Sequence, residues 1–363
     1  MSVAAEEIRT GRFSPKDGIG TQRSDTSSLL RFSATIGRDP LLVQASSGNT
    51  SFKLDGTLWI KASGKWLAKA DQEDILVPVS LSECLECLKG GRPLPACDRS
   101  LSPAGLLPSI ETLMHAVLPQ RFVVHVHSID TLAWAVRSDA TAQLTKRLSG
   151  LHWKWIPYVP SGLPLAREIQ IVSSTQPCPD VFILGNHGLV VCGENCEAAE
   201  LLLARVQRCL AVQPRRVTGR FHRLEAHRGS SSWRLPDFEA LHALGTDAIS
   251  RRIVKGGVLY PCQVMFLGPR LALLEAANNL SDVGTRIDQL DTSCPFAIVE
   301  GFGVLINNKI TAAQHAVLNG FAEVVRRIDV SAPIRYLTDY EVNTIMTADG
   351  HRYRISAEDS GPS

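Results

Sequence analysis

Two histidines stand two residues apart in FVVHVHS, residues 122–128. Along an extended strand, residues i and i+2 share a face. His125 and His127 therefore present two imidazoles to one point, an arrangement that holds a zinc ion at about 2.0–2.1 Å from each nitrogen. A third ligand has to come from elsewhere in the fold. His187, in the turn sequence GNHG, stands at a strand end beside flexible glycines and meets that need. Three protein ligands leave one coordination position open, as a catalytic metal requires. Each feature alone also has an ordinary reading. An HxH pair is more often plain strand than a ligand pair, and a histidine between glycines is more often a simple turn residue.

Positioning these side chains requires strands and tight corners, and the surrounding sequence has them. In SFKLDGTLWIKAS, residues 51–63, two alternating runs flank Asp55-Gly56. Asp-Gly between such runs predicts a hairpin, because a type I′ turn needs positive φ at both centres. Ser46-Ser47-Gly48-Asn49 reads as a tight turn entering the first strand. The spacing predicts a helix from Ser109 to Leu118, capped by Ser109. Its apolar face consists of Ile110, Leu113, Met114, Val117 and Leu118. Glu111 lies in the first turn, off the centre of that face, where a carboxylate also suits the helix dipole. His115, four residues on, shares its side of the helix; a packed or solvated role competes there with one supporting the site. Residues 122–128, 181–184 and 189–192 read as strands, and 196–211 as a helix.

A chain of 363 residues is long for one core and suggests two domains. Residues 1–24 are polar and aperiodic, the composition of a loose or disordered tail. A metal-bearing domain is expected over 25–212 and a linker rich in Arg, Gly and Ser over 213–234. A second α/β domain of unassigned role is expected over 235–340, and a polar tail over 341–363. Within the second domain, 258–267 reads as a strand broken by Pro261, and 271–279 as a helix. VFILGNHGLVVCG is echoed by AIVEGFGVLINN, with Gly303 in the place of Gly188 and Phe302 in that of His187. Duplication and two unrelated strand–helix units both explain the echo.

Net charge is +2 with no long run of one sign, which gives no support to nucleic-acid or membrane-surface binding. No stretch of about 18 or more uncharged apolar residues suggests a membrane span. The first residues carry acids and do not read as a secretory signal. The nine cysteines are scattered and odd in number, and the one CxxC, Cys84 and Cys87, has no second pair. A disulfide framework and a structural zinc site are not expected, and a cytoplasmic protein with free thiols is.

GNTSF, IKASG, LPSIETLMH, VVHVHS and GNHGLVVCG follow one another at spacings that resemble the class II aldolase and adducin family, over about residues 29–211. The family is typified by fuculose-1-phosphate aldolase and ribulose-phosphate epimerases. The resemblance implies a three-layer α/β fold, with a central, mostly antiparallel sheet flanked by helices. A smaller α/β domain is here appended to it. It implies that His125, His127 and His187 hold a divalent metal, usually Zn2+, with Mn2+, Co2+ and Fe2+ as alternatives. It casts Glu111 as the acid/base. Gly48, Asn49, Ser63, Gly64 and Ser109 match residues that cradle a substrate phosphate. Tyr158, four residues before Gly162, matches a tyrosine that protonates the departing aldehyde oxygen across a subunit interface. Homotetramers and a small sugar-derived substrate follow by the same resemblance.

The chemistry suits these residue types. Breaking a C–C bond beside a carbonyl yields an enediolate, whose charge a metal spreads as a Lewis acid while a carboxylate moves a proton. No lysine is needed for a Schiff base, and each lysine looks ordinary.

The sequence also departs from the family. Ile110 replaces the second serine of the phosphate pair, and Leu163 replaces the usual threonine after Gly162. Only fourteen residues separate Glu111 from His125, so the intervening loop is trimmed. The leading expectation is a metal-dependent aldolase-type lyase. The same site would also serve an epimerase, a decarboxylase or a dehydratase, and adducin itself illustrates a non-catalytic interaction module.

Overall fold

The computed structural model describes residues 15–92, 105–216, 232–275 and 294–348, with side chains from residue 23 onward. Asp55 and Gly56 adopt φ of 49° and 75°, the turn that joins β1 (Asn49–Leu54) to β2 (Thr57–Lys61). With β3 (Leu76–Ser80), β4 (Phe122–Val126), β5 (Trp153–Ile156), β6 (Val181–Leu184) and β7 (Gly188–Gly193) they form a seven-stranded sheet of order β3-β2-β1-β4-β7-β6-β5. Every neighbouring pair is antiparallel except β5 with β6.

The alternation of β4 divides the two helical layers. Val124 and Val126 pack with Leu29, Leu144 and Leu203. These belong to α1 (Pro15–Gly37), the helix Ala140–Arg147 and the helix Cys196–Leu210. Val123 packs on the opposite face with Cys84, Met114 and Ile169, from α2 (Leu81–Lys89), α3 (Thr112–Val117) and the helix Leu163–Ser173. His125 shares the parity of Val123, so its imidazole points toward the α3 side. The three-layer arrangement is the one the resemblance implies.

The appended unit carries a four-stranded sheet: Trp233–Arg234, Gly303–Asn307, Phe296–Val299 and Leu273–Leu274, in that order. Its core is continuous with the first unit. Ile129, Leu132, Ala133 and Val136 cluster with Leu259, Phe266, Phe321 and Val325. The echo in the sequence has a counterpart in geometry. Gly188 pairs with Leu184 across β6 and β7, and Gly303 pairs with Val299 across Phe296–Val299 and Gly303–Asn307. The His187 amide donates to Leu184 O at 3.1 Å, and the Phe302 amide to Val299 O at 3.0 Å. A capped helix follows each hairpin, Cys196–Leu210 and Ala312–Arg327.

Several expectations need correction. Helix α1 begins at Pro15, inside the segment read as a loose tail. Residues 217–231 of the expected linker, and 349–363 of the expected tail, lie outside the described residues. Trp233–Arg234 is strand and Asp339–Thr347 is helix. Residues 258–267 form no strand. A π-helical turn, Gln263–Leu267, follows Pro261, because the ring fixes φ for a helix start and removes a ladder donor. The run is buried on all sides, so it had no period to distinguish strand from helix. In 271–279, Leu273–Leu274 joins the sheet instead of opening a helix, and residues 276–279 lie outside the described set.

Phe52 holds the hairpin to β4. It is fully buried, and its ring stacks on Phe122 and Trp59 at centroid distances of 5.9 and 6.2 Å. Phe52→Ala is expected to lower stability by about 3–5 kcal/mol, read as a lower urea midpoint with an unchanged slope.

Candidate active site

Residue 125 stands on β4 opposite Asn49 of β1 on one side and Val190 of β7 on the other. Residue 127 lies just past the end of β4, with the alternation still running. The β6–β7 corner brings His187 to meet them. The His125 and His127 Nε2 atoms are 3.0 Å apart, and ligand atoms of all three histidines lie within 4.8 Å of one another. The rings meet edge to face, with centroids 4.9–5.1 Å apart. His125, His127 and His187 are 0, 4 and 5% exposed. Two positions have no room for a side chain. A Cβ on Gly188 would lie 2.6 Å from Val126 O and 3.3 Å from atoms of both the His125 and His127 rings. A Cβ on Gly48, at φ 67°, would lie 2.7 Å from His125 O.

Glu111 closes the fourth side. Its Oε1 lies 3.1 Å from His187 Nε2 and its Oε2 3.4 Å from His125 Nε2. Burial alone would raise its pKa. The electrostatic pull of the adjoining His125, the hydrogen bond to His187, and the nearness of His187 and His127 outweigh that and hold the carboxyl well below the usual carboxylate range. Glu111 occupies the N-cap position of α3, yet its side chain makes no capping bond. It faces the imidazoles, so the helix-dipole reading does not account for it. Ser109 is not the cap either. It precedes the helix by a turn, and its Oγ accepts from the Glu111 amide at 3.2 Å. Ile110 leaves the apolar face it was expected to join, and its side chain lies against Gly162.

A buried polar chain fixes the carboxylate. The Asn49 amide nitrogen donates to Glu111 Oε2 at 2.7 Å and to Ser109 Oγ at 3.0 Å. That leaves Asn49 Oδ1 as the acceptor for His115 Nε2–H at 2.5 Å, while His115 Nδ1 accepts from the Ser51 hydroxyl at 2.7 Å. Burial, reinforced by charge on His125, pushes the His115 pKa well down, consistent with the neutral tautomer this chain needs. The sequence left His115 between two roles; the structure ties it to Asn49.

Ser63 and Gly64 lie beside this corner. The Ser63 amide donates to Leu107 O at 2.8 Å, and the Ser109 amide to Lys61 O at 3.2 Å. Gly64 has φ 77°. Tyr158 is placed differently. Its ring lies under the Arg335 guanidinium at 5.2 Å and packs against the core of the appended unit.

The family model for the class II aldolase and adducin N-terminal domain matches residues 31–213, half of the chain. The chain belongs to the class II aldolase and adducin family. Among solved structures it is similar to the N-terminal class II aldolase domain of a conserved protein from Thermoplasma acidophilum. That likeness has 23% identity and a TM-score of 0.41, covering 58% of this chain and all of that one. It is also similar to l-fuculose-1-phosphate aldolase from Thermus thermophilus, with 17% identity and a TM-score of 0.37, covering 52% of this chain and 93% of that one. A curated relative, the uncharacterized oxidoreductase YuxG of Bacillus subtilis (strain 168), is 29% identical over 198 residues. That match takes in 47% of this chain and 26% of the relative, so the chain spans about a quarter of the relative's length.

Within this class II aldolase-family site, sequence reasoning missed three residues. Ser161 Oγ donates to Glu111 Oε1 at 3.3 Å. Lys61, read as ordinary, is 1% exposed and donates to Ser46 O at 2.9 Å. Cys262, from the appended unit, brings its Sγ to 3.1 Å from His127 Nδ1. Lys61 sits inside the motif IKASG, and Ser161 directly precedes Gly162. Cys262 had no local signal.

Purified protein is expected to contain about one divalent metal per chain by inductively coupled plasma analysis, on a site of three imidazoles. His125→Ala and His187→Ala are expected to lose it. Gly188→Ala is expected to reduce it strongly, because the added methyl meets Val126 O and both rings.

Proposed function

We propose that this chain is a metal-dependent lyase of the aldehyde-lyase type, cleaving or forming a C–C bond beside a carbonyl in a small sugar-derived substrate. The observation that carries the reading is the convergence of three imidazoles on the buried carboxyl group of Glu111. The donor set fits a divalent cation of borderline softness, Zn2+ first, with Mn2+, Co2+ and Fe2+ also compatible. His125, His127 and His187 would hold it, and when bound it supplies Lewis-acid stabilisation of charge on substrate oxygens.

The protein's own groups supply the rest. Glu111 exchanges a proton with a substrate hydroxyl or carbon, its two oxygens set by Asn49 and Ser161. Gly48, Asn49, Ser63, Gly64 and Ser109 form the polar corner that receives the substrate. Ile110 puts an alkyl group where a second hydroxyl would grip a phosphate, which favours an unphosphorylated or differently held substrate. The same observation supports a second reading, in which the site performs epimerisation, decarboxylation or dehydration. Tyr158 is the candidate proton donor to a departing alkoxide. Its hydroxyl is pushed to a higher pKa by burial and by Glu341, which keeps the proton in place at neutral pH. A homotetramer, in which a partner copy completes the tyrosine's surroundings, is part of the proposal, as is a cytoplasmic setting. Among the described residues no helix is long and apolar enough to cross a membrane. A purely adducin-like interaction role leaves the buried histidine and glutamate set without a purpose.

Phosphorylated and unphosphorylated ketoses and hydroxy acids are to be screened for turnover with and without chelator. The expected result is turnover lost on chelation and restored by added metal, with Glu111→Gln keeping its metal but slowed by about 10²–10⁴-fold, the range of general acid–base catalysis. Turnover that survives full metal removal would sink the reading.

A further inference from the structure

Polar contacts from the appended unit reach the candidate metal site at two places. At the first, Cys262 Sγ lies 3.1 Å from His127 Nδ1. At the second, Asn186, the neighbour of His187, donates its carboxamide to Leu259 O and to Arg335 O, each at 2.8 Å. The Arg335 guanidinium donates back to Asn186 Oδ1 at 3.1 Å. Asn186 is fully buried and sits at φ 51°, a conformation asparagine tolerates better than most residues. The Leu259 amide donates to Gln263 Oε1 at 2.9 Å, so the stretch that carries Cys262 is itself braced. One short segment, 259–262, thus touches both the His127 ring and the His187 corner.

These contacts have a chemical meaning for a metal site. An imidazole that binds a cation through Nε2 carries its proton on Nδ1, and the group accepting that proton fixes both tautomer and ring orientation. The Nε2 atoms are the converging ones here. For His125 the acceptor is Leu189 O, at 3.0 Å, on the adjacent strand of the same sheet. For His127 the group at Nδ1 is a sulfur contributed from 135 residues further along the chain. A thiol is a weak acceptor, so its worth lies in placement. In the observed ring orientation the sulfur lies on the far side of the imidazole from the other two histidines.

We propose that the appended unit is a working part of the metal site, with Cys262 as the positioning residue for His127 and the Asn186–Leu259–Arg335 clamp as the support for His187. This inference rests on reading His125, His127 and His187 as metal ligands. It adds that metal affinity depends on residues outside the family module.

The test uses the full chain stripped of metal. Zinc affinity is measured by competition with a chelating dye, the cobalt form by its electronic spectrum, and the metal-free proteins by thermal unfolding. Cys262→Ala is expected to weaken zinc binding by about 10–100-fold, as loss of such outer partners does, while the metal-free variant unfolds at the wild-type temperature. Cys262→Ser, which keeps an acceptor in place, is expected to recover most of the affinity. Asn186→Ala is expected to weaken binding as well. Unchanged zinc affinity in Cys262→Ala overturns the proposal, as does an equal loss in the alanine and serine variants. A thiolate-to-cobalt charge-transfer band in the wild type, absent from Cys262→Ala, overturns it in favour of direct ligation. Wild-type protein that binds no divalent metal removes the underlying reading too, and that failure is seen before any variant is made.

Discussion

Holding three imidazoles and a carboxylate together in one buried corner is the constraint on which the rest of this structure depends. A buried charge is costly unless it is paired and hydrogen-bonded. Here the histidines and Glu111 offset one another, and Asn49, Ser161 and the Ser109 turn complete the partners. The corner is rigid because its members come from neighbouring strands. Asn49 and His125 face each other across β1 and β4, and His187 arrives on the tight turn into β7. The glycines at 48 and 188 are needed for closeness, since a side chain at either would enter the space of an adjacent carbonyl.

Much of this was legible because the relevant signals are local. Alternation through FVVHVHS fixed which imidazoles share a face. Asp55-Gly56 named the hairpin turn, and GNHG named the corner. The ordered motifs then supplied the family and, with it, the layer arrangement. The polar support was less legible. Nothing in the spacing says that His115 serves Asn49 rather than solvent, because that pairing crosses from a helix to a strand 66 residues away. The helix start was misplaced for a similar reason. The chain is held in a turn through Ser109, Ile110 and Glu111 so that the carboxylate can face the histidines, which overrides the simple capping pattern.

The appended unit was the least legible part. Its segment 258–267 is apolar almost without interruption and buried on every side, so no period exists to read. Its role at the site was equally hidden. Cys262 is one of nine scattered cysteines, and only the core shared by the two units brings it to His127. The second hairpin repeats the turn geometry of the first while carrying Phe302 in place of the histidine. The backbone corner and the ligand it presents are therefore separable properties.

The shared core has one more implication, for the chain's independence as parts. The helix Ile129–Ala135 follows directly from the histidine strand and turns Ile129, Leu132 and Ala133 away from its own sheet toward Phe321 and Val325. Gly320 is small enough to let the long helix approach Gln44 and Ile129 closely. A fragment ending near residue 213 would expose this apolar strip to water. In this chain the family module and the appended unit share one apolar cluster, so the sequence boundary between them is not a boundary of the hydrophobic core.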